Sequence, residues 1–93
     1  MVINNINDIV KGKGLENPDQ LHHYVYKYTD CGAWINWNDT TVTIGSIVEG
    51  SDAEFSRTFT FPVDSDLLDA WLAELEDLTT GAWIEANGEL EDF

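Results

Sequence analysis

The apolar repeat between Leu67 and Leu78 constrains the fold of this 93-residue chain more than any other feature. Within it, apolar side chains recur at intervals of three and four positions: Leu67, Leu68, Trp71, Leu72, Leu75 and Leu78. This period places them along one side of an α-helix, with the polar residues between them on the other side. The repeat therefore predicts a long amphipathic helix that must bury one face against the rest of the chain.

The ends of this helix carry boundary signals. Asp64 or Ser65 can cap its start, since both side chains accept hydrogen bonds from free N–H groups of a first turn. Gly81 is typical of a residue that ends a helix, so we expect a stop or kink there and a second helical turn before Gly88. Continuation of the apolar stripe through Ala82, Ala86 and Leu90 is the alternative.

A different period dominates the middle of the chain. Four segments alternate in character or are rich in β-branched residues, which is typical of strands: "HHYVYKYTD" (22–30), "AWINW" (33–37), "TVTIGSIV" (41–48) and "FSRTFTFP" (55–62). Short polar turns separate them. The pattern predicts a four-stranded antiparallel meander.

The N-terminal segment "VINNINDIVKGKG" favours a short helix at about 3–11, because its apolar residues have helical spacing and two glycines follow. Together the segments predict an α+β fold. A single domain, 1–93, would consist of the four-stranded sheet, one long C-terminal amphipathic helix packed on it and the short N-terminal helix.

The charge of the chain is strongly negative and unevenly distributed. Eighteen Asp and Glu face four Lys and Arg, a formal net charge of −14. Residues 31–93 hold fourteen of the acids and a single basic residue, Arg57. Such a field repels nucleic acid and anionic membranes and favours a basic partner surface.

Location and redox state follow from simple counts. Cys31 is the only cysteine, so no internal disulfide can form and a reducing compartment is expected. No apolar run approaches the about 18 residues of a membrane span, and "MVINNINDIV" lacks the basic and apolar regions of a signal peptide. We expect a cytoplasmic protein.

No pattern of catalytic or metal-binding residues is evident. On a strand, His22 and His23 would point to opposite faces, and only Cys31 and Asp30 could join one of them around a zinc ion, too few for a site. A nucleophilic site would need Cys31 or a serine beside a base and an orienting group, and no such spacing is present. We therefore expect no enzymatic activity, no cofactor and no bound metal.

The carboxylates themselves are the candidate functional residues. Acids three and four positions apart on a helix lie about 5–6 Å from each other, close to the spacing of successive phosphates on a nucleic-acid strand. We predict that they bind a partner through the helix, the loop after the third strand and the C-terminal tail: Asp66, Asp69, Glu74, Glu76, Asp77, Glu49, Asp52, Glu54, Glu85 and Glu89. The alternative interpretation is that an acidic surface only confers solubility.

The aromatic residues allow a second hypothesis. Trp34 is out of phase with Ile35 and Trp37, and three tyrosines would share one face of the first strand. These rings would either cover a second small core or form an exposed patch. An exposed patch would make the protein a non-enzymatic, dimeric interaction or adaptor module.

The central run "YTDCGAWINWNDTTVTIGSIVEGSDAEF" and the following "TFPVDSDLLDAWLAELED" resemble small acidic proteins of phages and other bacterial mobile elements, over roughly residues 26–78. In size, charge and expected fold the chain is also similar to anti-CRISPR proteins, many of which are acidic and occlude a nucleic-acid-binding site on a CRISPR effector. Those inhibitors share no common motif, so the resemblance assigns no role to any residue. It implies an inhibitor that acts in the cytoplasm of the bacterial host, as a nucleic-acid mimic in a basic groove.

Overall fold

The computed structural model describes residues 1–29, 32–48, 50 and 52–87. Its helices and strands, in chain order, are β1 (Val2–Ile3), α1 (Ile6–Gly12), α2 (Gln20–Thr29), β2 (Gly32–Trp37), β3 (Thr41–Ile47), β4 (Glu54–Thr60), β5 (Val63–Asp64) and α3 (Ser65–Asn87). Strands β2, β3 and β4 form a three-stranded antiparallel meander, and β1 pairs antiparallel with β5. The α+β class is confirmed, with three helices and two small sheets.

The first predicted strand is wrong, because residues 20–29 form a helix. The alternation of tyrosines suggested a strand, but burial follows a helical period: Leu21 and Val25, four residues apart, are 2% and 1% exposed, whereas Tyr26 is 47% exposed. The N–H groups of Gln20 and Leu21 donate to the carbonyls of Asn17 and Pro18 and so start the helix. The meander consequently has three strands instead of four.

The other three predicted strands are confirmed as β2, β3 and β4. Asn38 forms the turn between β2 and β3, since its Oδ1 accepts from the backbone N–H groups of Thr40 and Thr41, both at 2.8 Å. The register pairs Trp37 with Val42 and Val42 with Phe59. This register puts apolar residues of all three strands on the face toward the helices.

The long helix α3 runs through Gly81 to Asn87, so the expected stop at Gly81 is wrong. The helix continues as the alternative stated, but Ala86 is exposed and Leu90 lies outside the described residues, so the apolar stripe does not follow the predicted positions. Asp64 caps the start of α3, as expected, because its Oδ1 accepts the N–H of Asp66 at 2.9 Å. Beyond Gly81, Ala82 and Trp83 are half-buried and continue the packed stripe. Their burial offsets the weak helix propensity of one glycine.

The core lies between α3, α2 and the inner face of the meander. Trp71 fixes the position of α3 on the sheet, since its Nε1 donates to the carbonyl of Ile44 at 3.0 Å. Apolar side chains from every helix and from both sheets fill this core: Ile3, Ile6, Ile9, Val10, Leu21, Val25, Ala33, Val42, Ile44, Phe59, Val63, Leu68, Trp71, Leu72 and Leu75. In the described part of the chain, no helix is long and apolar enough to cross a membrane.

Candidate acidic interface

The exposed side of α3 carries a row of carboxylates. Helix α3 has 23 residues, which corresponds to about 34 Å at 1.5 Å per residue. Asp66 and Asp77 are eleven residues apart, close to three turns, and therefore point in nearly the same direction about 16 Å apart. Glu74 and Glu85 form a second pair with the same separation. All four residues are exposed.

Most of these carboxylates have no partner within the described part of the chain. Asp69 is the exception, because its carboxylate forms a salt bridge with the Nζ of Lys13 and accepts a hydrogen bond from it. Within residues 1–29, 32–48, 50 and 52–87 this is the one salt bridge. We define the α3 acidic face as the exposed carboxylates of this helix other than Asp69: Asp66, Glu74, Glu76, Asp77 and Glu85. Asp69 instead contributes to holding the helices together.

Lys13 joins three helices at this salt bridge. It follows α1, its Nζ contacts Asp69 of α3 and lies 5.3 Å from the ring centroid of Tyr24 on α2. Partial burial alone would lower the pKa of Lys13, but the hydrogen bond to Asp69 and the nearby Tyr24 and Asp69 outweigh it and raise the pKa above its usual 10.5. The sequence pattern gave no sign of this contact, because it joins residues 56 positions apart.

Gly50, in the loop between β3 and β4, lies against the far end of α3. Gly50 has a positive φ of 83°, and a Cβ added there would come within 2.9 Å of the Asn87 Oδ1. Asp52 and Glu54 follow in this loop and at the start of β4, and both are exposed. The structure thus brings two of the predicted loop acids to the same end of the molecule as Glu85. The predicted residues Glu49 and Glu89 lie outside the described residues.

The predicted tyrosine face does not exist, because its residues lie on α2. Tyr24 is half-buried beside Lys13, while Tyr26 is exposed. Trp34 is half-buried on the outer face of the sheet, where it covers Gly45: a Cβ at Gly45 would lie 2.6 Å from its Cζ2. The indole N–H of Trp34 is buried and has no hydrogen-bond acceptor within the described ranges. This ring is therefore held by packing against the sheet.

The histidines also differ from the prediction. On α2, His22 and His23 are adjacent and exposed, and their rings stack with centroids 6.0 Å apart, instead of lying on opposite faces of a strand. Among the described residues, no three His, Cys, Asp or Glu side chains lie close enough to hold a metal ion. Cys31 and Asp30 lie outside the described residues.

A groove along the outer edge of β2 was not predicted from the sequence. Its lining comes from the turn before α2, from the first turn of α2 and from both faces of β2: Pro18, Asp19, His22, Trp34, Ile35 and Trp37. The unusual phase of Trp34 was the one signal in the sequence, and it gave no indication of Asp19 or His22.

Comparison of the chain with protein-family models, curated proteins and solved structures finds no match.

Proposed function

We propose that the protein is a non-enzymatic inhibitor that occupies the basic groove of a nucleic-acid-binding defence protein of the bacterial host, in the manner of an anti-CRISPR protein. The observation that supports this best is the α3 acidic face. Its carboxylates stand on one continuous helix, and none forms a salt bridge within the described residues. A groove lined with Lys and Arg would supply the missing positive charge.

The rigidity of α3 favours binding over simple solubility. Solubility needs only net charge, which flexible or scattered acids supply equally well. The carboxylates of α3 instead keep fixed separations, because they stand on one continuous helix, and Trp71 anchors the first third of that helix to the sheet. Exposed apolar side chains interrupt the acids at both ends, with Leu67 at 49% and Ile84 at 38% exposure. Such residues contribute contact area in a protein interface.

The mimicry can be tested by competition with DNA. Purified CRISPR effector complexes of several types would be given a fluorescent target duplex, and its displacement by the protein would be followed by anisotropy. The informative variant is Glu74→Lys combined with Asp77→Lys, since these residues lie three positions apart on the exposed side of α3. We expect the variant to lose at least about 10-fold in potency per reversed charge.

The control combines Glu16→Lys with Asp39→Lys, which changes the net charge by the same amount away from α3. Both residues are exposed and have no described side-chain partner. Asp69 is left intact because its reversal would break the salt bridge to Lys13 and confuse folding with binding. If both double variants compete equally well, mimicry through α3 is wrong. If binding persists unchanged at 0.5 M salt, an apolar contact surface is the better explanation.

A further inference from the structure

The groove along the outer edge of β2 has the size of a binding site for one side chain or small ligand. Its volume is about 450 Å³, within the range of about 300–1,000 Å³ of ligand pockets. Pro18, Asp19 and His22 line one side, and β2 supplies Trp34, Ile35 and Trp37 on the other. The groove is separate from the α3 acidic face, because none of its lining residues belongs to α3.

Two indole rings face this groove. Trp37 lies at the end of β2 and is 40% exposed, an unusual position for a tryptophan in a small domain that needs its aromatics in the core. Trp34 is held in place by its contact with Gly45, where no other residue would leave room for the ring. Tryptophan has the most favourable ring for binding a cation on its face.

The charges around the groove select a cation over an anion. Asp19 is exposed, and its carboxylate has no partner in the described part of the chain. The start of α2 offers no anion site, since the N–H groups of Gln20 and Leu21 already donate to the carbonyls of Asn17 and Pro18. No Lys or Arg is among the lining residues, and the net charge of −14 repels anions from the whole surface.

We propose that this groove binds an arginine side chain of a protein partner. The planar guanidinium group stacks on an indole face and donates hydrogen bonds to the Asp19 carboxylate, a combination that the ammonium of lysine matches less well. The inference relies on the proposed function only for the source of the arginine, the basic surface of a partner. The affinity of the groove for arginine rests on the groove alone.

Titration of the full-length protein with the peptide acetyl-Gly-Arg-Gly-amide tests the proposal directly. The ¹H–¹⁵N spectrum of the protein has one indole signal for each of its four tryptophans, assigned by single Trp→Phe variants. We expect saturable shifts of the Trp34 and Trp37 signals, with a Kd on the order of 1–10 mM. The Trp71 signal should stay in place, because its N–H is bonded to Ile44 in the core.

Two variants locate the binding energy. Asp19→Asn and Trp37→Leu should each weaken binding about 2- to 5-fold. The matched controls are Asp39→Asn, which removes the same charge from the neighbouring turn, and Tyr26→Leu, which removes an exposed aromatic outside the groove. Neither control should change the affinity. An unchanged Trp71 signal shows that each variant is folded.

Peptides with other central residues distinguish the chemistry. The citrulline peptide has nearly the shape of arginine without its charge and should not bind, and the lysine peptide should bind more weakly. Equal binding of the citrulline peptide, unchanged affinity in either groove variant or equal shifts of all four indole signals would overturn the assignment. If free arginine bound more tightly than the arginine peptide, the proposal that the arginine belongs to a protein partner would be wrong. None of these results depends on competition with DNA, so the two proposals fail separately.

Discussion

Replacement of Gly81 by alanine should stabilise the protein, because α3 is a continuous helix at this position. Apart from the nearby backbone of α3 itself, no heavy atom of the described residues lies within 4 Å of a Cβ placed on Gly81, so the new methyl group meets no steric conflict. Alanine is favoured over glycine inside a helix by about 1 kcal/mol, chiefly because the unfolded chain loses freedom. We therefore expect the free energy of unfolding to rise by about 1 kcal/mol.

Urea and thermal denaturation followed by circular dichroism would measure this change. For a domain of this size, 1 kcal/mol corresponds to a rise in Tm of about 4–8 °C. The slope of the urea transition should not change, since the variant exposes the same surface on unfolding.

Gly50→Ala provides the contrasting control. Gly50 has a positive φ of 83°, and its added Cβ would approach Asn87. The same substitution should therefore destabilise the protein here, by about 1–2 kcal/mol from the backbone conformation alone. Loss of stability in Gly81→Ala would contradict a continuous α3, because it would indicate a helix end at Gly81.

Two further predictions concern the sheet and the salt bridge. Gly45→Ala should destabilise the protein by about 1–3 kcal/mol in urea denaturation, because the methyl group would lie 2.6 Å from the Trp34 ring and 2.8 Å from the Phe55 carbonyl oxygen; a neutral result would show that Trp34 does not cover this glycine. Lys13→Met should remove a pH-dependent stabilisation of about 0.5–1 kcal/mol, small because Asp69 is half exposed. Since the folded-state pKa of Lys13 is raised, this stabilisation is complete below pH 10.5 and is lost as the pH rises through the higher folded value. Unfolding measured from pH 8 to 11.5 should show wild type and variant converging, and parallel curves would contradict the salt bridge.

Strands β2, β3 and β4 and the first part of α3 could be predicted because each shows its own period locally. Helix α2 could not be predicted, because tyrosine tolerates both burial and exposure, so the alternating tyrosines do not mark a buried face. The buried residues are instead Leu21 and Val25, whose spacing of four is helical. The helix end predicted at Gly81 was wrong because it relied on the low helix propensity of glycine, which is a local property. The burial of Trp83, which outweighs that propensity, depends on residues distant in the sequence.

The candidate sites also differ in whether they depend on local sequence patterns or on contacts between distant residues. The α3 acidic face follows from the helical period and the charges, both of which can be read along the chain. The salt bridge between Lys13 and Asp69 could not be predicted, because it depends on how α1 and α3 meet. The groove could not be predicted either, because Asp19 comes close to the tryptophans only when α2 packs along β2.

The contact of Gly50 with Asn87 restricts how α3 can change in length. Inserting one residue into α3 rotates the helical residues that follow it, as far as Asn87, by about 100° and moves them about 1.5 Å along the axis. Asn87 would turn away from Gly50, and the buried positions beyond the insertion would turn away from the core by the same angle. Only steps near whole numbers of turns, such as seven or eleven residues, keep both faces in phase. The spacing of the carboxylates is therefore tied to the spacing of the core.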